Sequence, residues 1–123
     1  MLHAINDDGS LKEINYIPHK EMYDLWRSRL TVLEYDSIVK QLDSLIEGEE
    51  IKTAGWIPGN DWSDTVYEPI YSKACNYNEE QSGLCFGLFV WVVFMEREDH
   101  WSFGHYKANN IPIRSMTYFK IRI

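Results

Sequence analysis

Cys75, Cys85, His100 and His105 are the side chains of this chain most suited to chemistry, offering two thiols and two imidazoles. Zinc accepts such a donor set tetrahedrally. The spacing argues otherwise: nine residues separate the cysteines, whereas a zinc knuckle presents both sulfurs from within about two to four residues. Convergence would then depend wholly on tertiary structure, so the expectation is no metal and no cofactor. A cysteine–histidine catalytic pair, oriented by Asp99 or Asn76, meets a similar objection. Cys85 lies in an apolar stretch that disfavours a thiolate, and Cys75 falls near the negative end of an expected helix. The histidines retain a second use. His100 or His105 as general base, supported by Asp61, Asp64 or Asp99, would make a small enzyme.

Most adjacent carboxylates, such as Asp7-Asp8 and Glu49-Glu50, read as solvated loop or cap residues. Asp61 and Asp64 differ because they flank Trp62 just after Pro58-Gly59. An acid beside an aromatic platform can hold a cationic or polyhydroxyl ligand. The competing assignment makes Asp61 or Ser63 the N-cap of the next helix, with Asp64 in its first turn. The aromatic load is heavy, with five Trp, eight Tyr and five Phe, and it includes Trp56, Trp62, Trp101, Phe103 and Tyr106 on expected strands or loops. With His105 beside them, these rings fill a core, line a pocket between sheet and helices, or form a contact surface. The phosphate-binding, dinucleotide-binding, nucleophile-elbow and H-E-x-x-H signatures are all absent.

The elements that would position these residues follow from periodicity and turn chemistry. Asn6-Asp7-Asp8-Gly9 is a hairpin turn between Ile5 and the run Leu11, Ile14, Tyr16. After Pro18, a helix is expected from His19 to about Leu33, with Met22, Leu25, Trp26, Leu30 and Leu33 on its apolar stripe. A second should run from about Asp36 to Glu47, capped by Asp36 or Ser37 and ended by Gly48, burying Ile38, Leu42, Leu45 and Ile46. Ile51 to Ile57 reads as a strand, and Thr65 to about Asn76 as a helix with Pro69 in its first turn. Glu79 to Glu98 is ambiguous. Its Val, Phe and Trp residues prefer a strand, but its length, the Asn78 cap and the acids after it favour a buried helix. Trp101–Lys107 and Ile113–Ile123 are then two strands joined at Ala108-Asn109-Asn110. The sum is one α+β domain over residues 1–123, with helices packed on one face of a small antiparallel sheet and a C-terminal β-hairpin.

Composition narrows the function further. The chain has 123 residues, 12 basic and 19 acidic, for a formal net charge of −7. That balance argues against nucleic acid or anionic lipid as a partner. The longest apolar run, Leu84 to Met95, falls short of the roughly 20 residues of a membrane span. With no secretory signal at the start, a cytoplasmic location and reduced cysteines are expected. Thr53-Ala54-Gly55-Trp56-Ile57-Pro58-Gly59, Trp62, Pro69-Ile70-Tyr71, Phe86-Gly87-Leu88, Trp101-Ser102-Phe103-Gly104 and Met116-Thr117-Tyr118-Phe119 form a dispersed signature. It resembles small uncharacterised bacterial proteins encoded on mobile DNA, of the integron gene cassette type. The resemblance implies a compact, often oligomeric cytosolic domain and carries no activity. The expectation is a homo-oligomeric binding or interaction module, with a small-molecule or protein partner, built around Trp56, Asp61, Trp62, Asp64, Trp101, Phe103, His105 and Tyr106.

Overall fold

A helix that is apolar on every side must be removed from water. That helix is α3 (Glu79–Glu96), which buries Cys85, Phe86, Phe89, Val90, Trp91, Val92, Val93 and Phe94. The computed structural model that contains it describes residues 1–53, 62–104, 107–108, 111–112 and 116–122. The Asn78 side chain accepts from the Gln81 backbone N–H at 2.9 Å, and Glu79 and Glu80 occupy the first turn. Cap and acids together fix the start of a segment whose side chains alone would suit a strand.

The other elements surround α3. β1 (His3–Ile5) and β2 (Leu11–Glu13) form an antiparallel hairpin, in register from His3 opposite Glu13 to Ile5 opposite Leu11. Its turn needs the left-handed backbone of Gly9, at φ 84°. α1 (Lys20–Ser28) and α2 (Val32–Ile46) follow. Both differ from expectation at their junction. The first helix stops at Ser28, and Thr31 caps the second through a capping box: its hydroxyl accepts from Glu34 N, and Glu34 Oε1 accepts from Thr31 N. Leu33 therefore belongs to α2 and is 78% exposed, while Asp36 and Ser37 lie inside that helix. The buried stripe of α1 is Tyr23 and Trp26; Met22 and Leu25 face outward, as does Leu45 on α2. Ile38, Leu42 and Ile46 are buried as the spacing predicts.

β3 (Ile51–Thr53) precedes a π-helical turn, Ile70–Ala74. Pro69 stands at its N-cap, so the expected helix from Thr65 shrinks to one wide turn. Beyond α3 come β4 (Trp101–Gly104), β5 (Lys107–Ala108), β6 (Ile111–Pro112) and β7 (Thr117–Lys120). β3, β7 and β4 make a three-stranded antiparallel sheet in that order, and β5 pairs with β6. β4 and β7 are the C-terminal hairpin; its expected turn residues Asn109 and Asn110, and Ile113, lie outside the described residues. The β1–β2 hairpin meets β4 through one parallel bridge, Leu2 to Trp101.

Trp101, Phe103 and Tyr118 share one sheet face, by strand alternation and by the pairing of Phe103 with Tyr118. α3 covers that face. Phe94 stacks on Tyr118 at 4.0 Å and meets Trp101 edge-on, and Trp91 meets Phe103. On other sides of α3, Phe89 receives the edges of Tyr23 from α1 and Tyr35 from α2, while Phe86 packs against Trp62 and Tyr67. The protein is thus α+β, with helices on one face of a small antiparallel sheet. No described helix is long and apolar enough to cross a membrane.

Candidate functional site

Of the residues expected to form a site, Trp62, Asp64, Trp101 and Phe103 are described. Trp101 is fully buried between α3 and the sheet, and Phe103 packs half-buried on Trp91. Trp62 is likewise half-buried, closing over Tyr67 and Phe86. Asp64 is exposed, in a left-handed turn at φ 61°, and belongs to no helix's first turn. Trp56, Asp61, His105 and Tyr106 lie outside the described residues.

Both cysteines are buried and free, and burial pushes each thiol above its ordinary pKa, most strongly at Cys85. A thiol so placed is a poor nucleophile and a poor metal ligand. No group of three or more His, Cys, Asp or Glu among the described residues is placed to hold a metal ion. Among the described residues, the side-chain partner of His100 is another histidine, with its Nδ1 2.9 Å from His3 Nε2.

A concave site does exist, and of the residues that line it only Asp99 is a candidate from the sequence. α2 supplies Val39 and Asp43, one helical turn apart, with its C-cap residue Glu47 beyond them, and α3 supplies Val93 and Glu96 from its last turn. The link to β4 adds Arg97, Glu98 and Asp99. Together they line an open groove of about 530 Å³ with five carboxylates, one guanidinium and two valines.

Arg97, the C-cap residue of α3, organises this groove. Its guanidinium grips Asp99 with two bonds, Nε to Oδ1 at 2.8 Å and Nη2 to Oδ2 at 3.0 Å. It also donates to Glu47 Oε2 at 2.9 Å and to Asp43 Oδ1. The planar fork can satisfy several carboxylates at once, which a lysine cannot. Held chiefly by Arg97 and against its own burial, the Asp99 carboxyl drops from the usual 3.8 to about 2. The Trp101 indole, whose buried Nε1 has no hydrogen-bond partner among the described residues, adds to that depression. Lys120 lies 3.7 Å from the far Asp99 oxygen.

No family model, curated protein or solved structure matches this chain. The chemistry of the groove therefore has to be read from its own atoms. Asp99 is an acceptor over the whole physiological range, and Arg97 is a fixed cation. Among the described residues, the lining offers no histidine, thiol or hydroxyl for proton relay or covalent attack. What remains is an acidic concavity with an apolar strip, suited to holding positive charge.

Proposed function

We propose that the protein is a small binding module whose groove between α2 and the end of α3 takes an organic cation, an ammonium or guanidinium group carried on a short apolar stem. The observation that carries this reading is the imbalance of the lining, five carboxylates around a single guanidinium. Arg97 is the shared partner of Asp43, Glu47 and Asp99, leaving Glu96 and Glu98 on the same wall for an incoming cation. Val39 and Val93 give the stem an apolar surface. The volume falls within the range of small-molecule sites, roughly 300–1,000 Å³. Self-association, suggested by the aromatic content, is compatible with this role and is read separately by native mass spectrometry.

Calorimetric titration with spermidine and with arginine methyl ester, at low and high salt, tests the reading. Binding should weaken as salt rises, and the double substitution Glu96→Gln with Glu98→Gln should weaken it by about tenfold, as the loss of a partly exposed charge pair implies. Absence of heat for both amines, together with unmoved amide NMR signals at Asp43, Glu47 and Glu98, would overturn it.

A further inference from the structure

The seam between the β1–β2 hairpin and β4 runs along the first residues of the chain. Leu2 forms a parallel bridge to Trp101, the Trp101 N–H donates to the Met1 carbonyl at 2.9 Å, and the Met1 ammonium donates to the Arg97 and Asp99 carbonyls. One side-chain hydrogen bond spans the same seam, between His3 Nε2 on β1 and His100 Nδ1 just before β4, at 2.9 Å. The two rings lie 5.1 Å apart, tilted by 36°. His3 is 6% exposed, and His100 is half-buried.

Such a bond has a simple proton rule. One nitrogen must carry hydrogen and the other a lone pair. Two neutral rings satisfy this, and so does a pair sharing one extra proton. When both rings are charged, each facing nitrogen carries hydrogen, no acceptor remains, and two cations face each other at short range. We propose that His3 and His100 form a proton-sensitive latch, which holds the β1–β2 hairpin against β4 while at most one ring is charged and releases it when both are. This proposal does not depend on the groove's ligand.

The surroundings make the second proton costly. Glu13 lies opposite His3 in the hairpin register and favours its charged form. Against it stand burial, the His100 ring and the Met1 amino group, in that order of size, and together they lower the His3 pKa. On the other side, Asp99 adjoins His100 in the sequence and is already paired with Arg97 and Lys120. The sign follows. A histidine whose folded pKa lies below its ordinary 6.5 binds fewer protons folded than unfolded, so docking of the hairpin is full above 6.5 and weakens as pH falls below it.

Release would uncover Leu2 and Trp101, both fully buried in the closed form. The test is an NMR titration of both imidazoles, paired with amide hydrogen exchange at Trp101 referenced to Phe89 in the middle of α3. As pH goes from about 7.5 to about 5, one ring should titrate below the ordinary histidine value, and the Trp101-to-Phe89 exchange ratio should rise by about tenfold, the effect of one pKa unit. The variant His100→Asn keeps a hydrogen-bonding group beside His3 but cannot be charged, so the rise should shrink to the part that burial of His3 supplies. Two rings titrating together at the ordinary value, or a flat exchange ratio in the wild-type protein, would overturn the latch. Those two measurements decide the matter even if the variant fails to fold.

Discussion

Arg97 has a side chain only 10% exposed, yet its partners differ widely in how far they are shielded from water. Asp43 and Glu47 are largely exposed, so their pairs contribute little in high dielectric. Asp99 is mostly covered and doubly bonded, so its pair carries most of the effect. Replacing Arg97→Met should therefore cost about 1–3 kcal/mol, because it strands a partly buried carboxylate rather than because four contacts vanish. Urea denaturation at neutral pH measures this. The same substitution alters the acid limb. Asp99, with its pKa lowered from 3.8 to about 2, contributes stability that is present above 3.8 and is lost as pH falls toward 2. In Arg97→Met that part of the acid destabilisation should disappear, so the stability difference between variant and wild type narrows below pH 3.8. An unchanged difference across that window would show that Arg97 is not what holds Asp99 ionised.

At the scale of elements, the capping box at Thr31 gives the clearest contrast between reading a sequence and seeing its fold. Thr31→Ala should cost about 1 kcal/mol, the usual loss for an N-cap hydroxyl, whereas Asp36→Ala, on the exposed surface inside α2, should be nearly neutral. Thermal denaturation of the two variants separates them, and a larger effect at Asp36 would put the cap in the wrong place. The motif was present as Thr31-x-x-Glu34. It was masked because Leu30 and Leu33 continue the apolar spacing of Met22 and Trp26, and no glycine or proline marks the turn. Where local chemistry was unambiguous, the elements were legible: the turn at Asn6 to Gly9, the stop at Gly48 and the Asn78 cap all follow from residues within a few positions of each other. The groove was not legible. Arg97 and Asp43 lie 54 residues apart, and His3 and His100 lie 97 apart. No periodicity within one element encodes such meetings. Aromatic content drew attention to Trp101, but most of that content serves packing against α3, which one helix can accept on all sides only when it is central.

For the whole molecule, the position of α3 determines how the fold should come apart. Phe94 touches both strands of the C-terminal hairpin, through Tyr118 and Trp101, while Phe89 on the same helix touches α1 and α2 through Tyr23 and Tyr35. The sheet and the helical layer thus lean on one rod and share one contiguous core. Neither can lose that rod and keep its own buried face. Phe94→Ala should cost about 3–5 kcal/mol, the range for deleting a fully buried ring. The loss should appear in both layers at once: far-UV circular dichroism, which follows mainly helix, and tryptophan fluorescence, to which buried Trp101 of β4 and Trp26 of α1 contribute, should give coincident urea transitions. Leu84→Ala provides the control, since Leu84 lies on the same helix but is 60% exposed, and its effect should stay within about 0.5 kcal/mol. Two separated transitions in Phe94→Ala, with fluorescence lost before helicity, would mean that the sheet docks onto a helical unit stable without it, and that α3 belongs to one layer rather than joining both.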